Sequence, residues 1–356
     1  MELSEYLPQR VNSGHWLASY TLERLRGLDA SVEIVLPICS LGTPYRRIAE
    51  LGELVLPPLF HEALEPTLKR QIVAQIERCF PYHELTPDLR ESGPRLRVIE
   101  LPRVDLVGGL HPQVLAFSVD TAVEEHGPHL PLATDTIQSY GVLTQLAADV
   151  GALTLGPPVD YGQLTWGLPF GFSIDFTAPL LSEYVSRFVN ALLDWQEPTA
   201  IYVVDVHGSI VHREAIVSGI QQSRAQRWAF RWLHEPLVEF ASQRGDQHAG
   251  GVETALVEQI SLELVDPSWW PARIDDIAAG QMSFEKAVEL TPNLQDFVSY
   301  ARAHSLNGIV GDIHNYERLD SRLLLERMLT VARQDVEALL RGESQQPQQD
   351  AGRNAW

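Results

Sequence analysis

The chain reads as a layered α/β protein with a mostly parallel sheet, on three observations. Short apolar strands alternate with amphipathic helices from about residue 113 onward. One strand, Ala200-Ile201-Tyr202-Val203-Val204, is apolar throughout, as expected in the middle of a parallel sheet, where both faces are covered. Polar, chemistry-bearing residues follow directly on the strands, where open α/β sheets collect their functional groups.

The elements follow in order. Val32-Glu33-Ile34-Val35-Leu36 is a strand. After Pro66, the apolar residues Leu68, Ile72, Ile76 and Cys79 or Phe80 recur at three- and four-residue steps, which gives a helix one apolar face. Residues 1–100 carry no motif and form an N-terminal extension, either a packing or oligomerisation element or a lid over a substrate pocket. Val114 to Val123 is a strand. Asp135 to Val150 is a helix with Ile137, Tyr140, Leu143, Ala147 and Val150 on one face, and Asp135 stands where it can cap the helix. Leu153 to Val159 is a short strand. Leu181, Tyr184, Val185, Phe188 and Leu192 mark the next helix. Ala200 to Val204, a helix at about 211–222, a strand from Trp228 to Leu233 and a final amphipathic helix at about 320–341 complete the unit, which spans 101–341. The tail, residues 342–356, is rich in Gln and polar, a composition that favours disorder.

Composition narrows the function classes. The 356 residues suit one large or two modest domains. A net charge of −20 with no basic stripe opposes binding to nucleic acid or an anionic membrane. No apolar run approaches the roughly 18–20 residues of a membrane span. The start Met1-Glu2-Leu3-Ser4-Glu5 lacks a signal pattern, and the two distant cysteines, Cys39 and Cys79, suit reduced thiols. A cytoplasmic protein is the expectation.

The stretch Glu124-Glu125-His126-Gly127-Pro128-His129-Leu130-Pro131, followed by Asp135, gathers carboxylates and imidazoles within about a dozen residues. Their oxygen and nitrogen donors suit divalent ions such as Zn²⁺, Mn²⁺ or Fe²⁺. Gly127-Pro128 cannot continue a helix, so the segment is a loop or strand end. In extended backbone Glu124 and His126 face one point and Glu125 faces away. This segment closely resembles the signature of the creatininase family of metal-dependent amidohydrolases, E-x-H-G-P-H-L-P followed by T-D, here Thr134-Asp135. The usual G-S upstream is absent, and Glu125 stands where Gln is usual.

Three further segments extend the resemblance to about residues 113–335. Asp205-Val206-His207-Gly208-Ser209 is similar to the family's N-G-H segment, so His207 is implied as a metal ligand. Ser209 stands where some members carry a metal-binding Glu, and Ile210 where Asn is usual. Asp246-Gln247-His248-Ala249-Gly250-Gly251-Val252-Glu253-Thr254 resembles D-x-H-A-G-x-x-E-T, which implies His248 near the substrate and Glu253 in the metal site. Glu253 can also be read as a favourable dipole partner near a helix start. Tyr161-Gly162-Gln163-Leu164-Thr165-Trp166 is a much altered counterpart of another segment, with Trp166 either an aromatic wall or core.

The resemblance implies two divalent ions (Zn, Mn or Fe). Glu124 and His207 would hold one, His126 and Glu253 the other, and Asp135 would bridge. His248 is the candidate general acid, because imidazole titrates near neutrality. His129 orients a ligand, and Asp205 and Ser209 lie behind the site or against substrate. His212 and His314 are ordinary histidines. The implied reaction is hydrolysis of a small cyclic or linear amide. A ring-opening lactonase and a degenerate binding or scaffold protein are the rivals. A small-molecule substrate and a homo-oligomer are further expectations from the resemblance.

Overall fold

The computed structural model describes residues 16–28, 32–52, 54–79, 95–164, 167–290, 292–314, 316 and 319–344. The expected disorder of the tail and the place of Trp166 fall largely or wholly outside these residues.

Two parallel sheets organise the described chain. The first holds β1 (Glu33–Cys39) at its centre, with β2 (Leu54–Val55) and β3 (Leu59–Phe60) along one edge. Helix α1 (Pro66–Cys79) follows, and β4 (Arg95–Glu100) pairs with the other edge of β1. Leu68, Ile72, Ile76 and Cys79 all turn inward from α1, as the sequence spacing predicts.

The second sheet has the order β6-β5-β7-β8, all parallel. Its strands are β5 (Val114–Ser118), β6 (Leu153–Leu155), β7 (Ala200–Asp205) and β8 (Trp228–Trp232). Between them run α2 (Thr134–Asp149), α3 (Ala178–Gln196) and α4 (Ile210–Gln222). Then come α5 (Gly251–Ile260), α6 (Phe284–Leu290), α7 (Leu294–Ala303) and α8 (Ser321–Leu340). Alternate residues of the strands face opposite layers, as the pleat dictates. Val114, Ala116, Tyr202 and Val204 pack with α2, α5 and α8. Leu115, Phe117, Ile201 and Val203 pack with α3 and α4. The result is the layered αβα arrangement with a parallel sheet that the sequence predicts.

The chain enters the sheet at β5, moves outward to β6, then crosses back through α3 to β7 on the other side of β5. Strand order therefore reverses between β5 and β7, and the crevice at their carboxyl ends is where such sheets bind ligands. β5 stops at Ser118, five residues short of the predicted Val123. Only Val119 keeps a bridge, to Val159, and the chain then turns to lay Thr121 to His126 across that crevice. β6 is likewise shorter than predicted, ending at Leu155.

The N-terminal region shares its core with the second sheet. Phe188 on α3 meets Phe117 at 5.2 Å and Phe60 at 5.7 Å between ring centroids, so one helix is packed by both sheets. The backbone amides of Leu132 and Ala133 donate to the carbonyls of Tyr20 and Ala18 at 3.0 Å each, which pins the loop leading into α2. On the other side, the Gln75 side-chain amide of α1 donates to the carbonyl of Asp175, in the loop that carries Gln163 and Phe170. Phe188→Ala is expected to cost about 3–5 kcal/mol, because it opens a cavity in the shared core. Urea unfolding followed by both fluorescence and far-UV dichroism should show a single, shifted transition; two separated transitions would show that the sheets fold apart.

Candidate metal centre

Four elements meet at the crevice. The loop after β5 brings Thr121, Glu124, Glu125 and His126. The first turn of α2 brings Asp135. The chain leaving β7 brings His207, and the approach to α5 brings His248 and Glu253. Gly127 makes the turn with φ +70°, and a Cβ there would lie 2.8 Å from Ile309, so glycine is required.

The expected cap role of Asp135 is not what forms. Ala133 occupies the N-cap position, without a side-chain hydrogen bond, and Asp135 lies within the first turn. Its carboxylate has stronger partners in the crevice. Oδ1 lies 3.3 Å from His126 Nε2, and Oδ2 lies 3.4 Å from His207 Nδ1. His207 Nδ1 also lies 3.1 Å from Glu124 Oε2, and His126 Nε2 lies 3.9 Å from Glu253 Oε2. The Thr121 hydroxyl is placed to donate to Asp135 Oδ2 at 2.6 Å or to Glu124 Oε2, and so ties the two carboxylates together.

Burial decides the electrostatics. His126 is 0% exposed, Asp135 2%, Glu124 3% and Glu253 7%, so little solvent screening remains. Burial alone would raise the Glu124 and Asp135 carboxyls, but the imidazoles overcome it. His207 lowers Glu124, and His126 with His207 holds Asp135 well below the usual carboxylate range. Conversely, burial would lower His207, yet Glu124 and Asp135 raise it well above its ordinary value.

The cluster fits a divalent cation. Glu124, His126 and Asp135 form one group whose donor atoms lie within 4.8 Å of one another, and His126, His248 and Glu253 form another. His126 Nε2 is buried and has no hydrogen-bond partner, although it faces two carboxylate oxygens. Nitrogen and carboxylate oxygen together suit Zn²⁺, Mn²⁺ or Fe²⁺.

Glu125 does not face away, as extended backbone would have it. The turn at Gly127 buries its side chain, with 2% of the residue exposed, and aims it at His248. Its Oε1 lies 3.4 Å from His248 Nε2, whose N–H donates to the Glu125 carbonyl at 2.8 Å. Burial would lower His248, but Glu125 pushes it up to about 10. Gly308, at φ +99°, leaves the space into which the Glu125 carboxylate fits, and a Cβ there would collide with it.

The remaining residues divide clearly. His129 is fully buried, and its Nε2–H meets Thr254 Oγ1 at 2.8 Å. It braces the first turn of α5 rather than a ligand side chain. Asp205 is 0% exposed behind the cavity, 3.5 Å from His212 Nε2. Ser209 caps α4, accepting the His212 amide at 3.3 Å, and donates to Gln163 Oε1 at 2.8 Å. His212 is a satisfied core histidine between Val119 and Gln163, and His314 is half exposed beside Asp275 and Asp312. Thr121, Gln138 and His234 escaped the sequence reading. His234 lines the cavity and donates from Nε2 to Gln138 Oε1 at 2.9 Å, and the Gln138 amide donates to Glu253 Oε1 at 3.3 Å. No local motif marks His234; it sits alone after β8.

Two outcomes are expected from this geometry. Thr121→Val removes the shared donor and should weaken metal affinity about 10–100-fold, read by calorimetric titration, with the fold intact by dichroism. An unchanged affinity would show that the hydroxyl does not organise the carboxylates. The second concerns the metal-free protein. The raised imidazoles of His207 and His248 contribute stability that is fully present below about pH 6.5 and is lost as pH rises through their folded values. The lowered carboxyls of Glu124 and Asp135 contribute above about pH 4.5 and lose that contribution as pH falls through their folded values. The Tm of the metal-free chain should therefore peak between those limits and decline on both sides; a flat profile up to pH 9 would contradict the imidazole assignments.

Comparison with known proteins places the chain in a family. The model of the creatininase family (creatinine amidohydrolase) matches residues 114–334. A mycofactocin precursor peptide peptidase of Mycobacterium ulcerans is 29% identical over 216 residues, 58% of this chain and 78% of the relative. Its counterpart in Mycolicibacterium smegmatis is 26% identical over 196 residues, 54% and 71% of the two chains. A solved creatininase superposes with a TM-score of 0.47 at 18% identity, over 64% of this chain and 90% of the other. A putative creatinine amidohydrolase from Bacteroides fragilis gives 0.46 at 16%, over 65% and 91%. No helix among the described residues is long and apolar enough to cross a membrane. With more than half its length matched by the family, the chain belongs to the creatininase family of metal-dependent amidohydrolases.

Proposed function

We propose that the chain hydrolyses a peptide-type amide with two divalent ions held in the carboxylate–imidazole cluster. Glu124 and His207 would hold one ion, His126 and Glu253 the other, and Asp135 stands between the two groups. The observation that carries this reading is the division of Asp135, with one oxygen toward His126 and the other toward His207. Bound there, such ions would polarise a carbonyl and make water acidic enough to react at neutral pH.

The chain's own residues supply the rest. Thr121 keeps Glu124 and Asp135 in one orientation. Gln138 and His129 brace Glu253 and the helix that carries it. His248 lines the same cavity as the carboxylates and gives its proton to the leaving nitrogen. Glu125 holds that imidazole by its Nε2 and keeps it charged. Positive charge added to the cluster would lower the His248 pKa, which eases release of that proton. The names of the two mycobacterial relatives support a linear peptide amide over a lactam.

Metal analysis with two variants tests this. Protein purified without chelators should hold close to two ions per chain. Asp135→Ala should lose both metal and amidase activity. His248→Ala should keep its metal and lose about 10²–10⁴-fold in kcat. Metal loss in the His248 variant would make that imidazole a ligand. Full activity would remove it from the mechanism.

A further inference from the structure

We infer that the cavity receives, beside the bond it cleaves, an uncharged apolar side chain of a linear amide, a statement that rests on the amidohydrolase reading above. The cavity holding Glu124, Asp135 and His248 has a volume of about 560 Å³. That lies in the range that encloses a drug-sized ligand, well beyond what one small lactam ring would fill. Its further walls are Phe170, Trp232, Leu237, Val238, Val288 and Phe297. These come from separate segments, the loop after β6, the end of β8 and the chain after it, and helices α6 and α7, so the apolar character is not an accident of one helix face.

Charge points the same way. Among the described residues no Lys or Arg lines the cavity, and its carboxylates already face imidazoles or backbone amides. A charged side chain brought in here would shed its water and find, among the buried side-chain oxygens of the cavity, only that of the Gln247 amide without a partner, which is a poor exchange for a full charge. An apolar side chain would gain contacts that a small polar amide leaves unmade. Val288 is 53% exposed and Val211 49% exposed, yet both line the cavity, so two valines stand at its mouth with solvent beside them. A substrate side chain passing between them would bury surface that the free protein leaves wet.

The test is binding to the metal-loaded full chain, read before turnover consumes the ligand. Calorimetry compares N-acetyl-phenylalaninamide, N-acetyl-glycinamide and N-acetyl-lysinamide. The phenylalanine ligand should bind at least tenfold more tightly than the glycine ligand, and the lysine ligand no better than glycine. Val288→Asp, a change at a half-exposed position that the fold should tolerate, should reduce that preference at least threefold, read as the ratio of the phenylalaninamide and glycinamide affinities. Equal affinity for phenylalanine and glycine ligands, or tighter binding of lysine, overturns the proposal, as does an unchanged preference in the valine variant. Failure of the amidohydrolase reading would instead appear as absent metal or absent peptide turnover, whereas a metal-loaded, active chain without the phenylalanine preference would overturn this proposal alone.

Discussion

The structure turns on a set of buried carboxylates without arginine or lysine to balance them. Glu124, Glu125, Asp135 and Glu253 are each under a tenth exposed, and among the described residues their cationic partners are imidazoles alone. Removing carboxylates from water costs far more than packing recovers unless positive charge lies close by. Imidazole can supply that charge in the metal-free chain and give up its proton when a divalent ion arrives. A lysine or arginine could not make that exchange. The same residues that stabilise the empty cluster are therefore the ones able to accept metal, and the pH dependence of the fold is tied to the chemistry of the site.

Holding like charges together requires a stiff frame, and the topology provides it. The reversal of strand order between β5 and β7 leaves a crevice where the chain after each strand can enter. The first turn of α2 adds Asp135 and α5 adds Glu253, so two of the carboxylates sit on helices, while Glu124 and Glu125 share the loop after β5. The N-terminal region strengthens this frame at two places, through the backbone bonds of Ala18 and Tyr20 to the loop before α2 and through Gln75 against the loop after β6. Its contacts with the core make it a buttress of the site as well as a packing layer, which goes beyond the two roles that its sequence suggests.

The parts legible in the sequence were those governed by periodicity and by local density of chemistry. The apolar run at Ala200 fixed the central strand, and the three- and four-residue steps fixed α1 and α3, because burial on one face leaves that trace. The dense motif at Glu124 placed most of the cluster. Misreadings arose where a tertiary partner outbid a local preference. Asp135 was placed as a cap because carboxylates favour that position, but two imidazoles attract it more strongly. Glu125 was turned outward by strand geometry, whereas the left-handed Gly127 breaks that geometry at once. β4 alternates only weakly between half-buried and exposed residues, which left no clear pattern to read. His234 is invisible in one dimension because its meaning depends on Gln138, nearly a hundred residues earlier.

Ser209 is the strongest apparent argument against a working site, since a glutamate is common there in the family. The structure gives the serine a different task. Its hydroxyl caps α4 and holds Gln163, so it fixes the wall that carries His207 and His212. A glutamate at that point would bring one more carboxylate into a cluster whose negative charges are already matched only by imidazoles. Glu253 approaches the same cluster from α5, 3.9 Å from His126, and is itself held by the Ala249 amide at 2.6 Å and by Gln138. In the proposed arrangement Glu253 supplies a carboxylate ligand and Ser209 supplies none. The exchange lets the segment from Ser209 to Val211 present a small hydroxyl and two apolar side chains to the cavity where a charge would otherwise stand. At Ser209 to Val211 the cavity wall is therefore uncharged, and the neighbouring carboxylates meet fewer like charges than a glutamate there would impose.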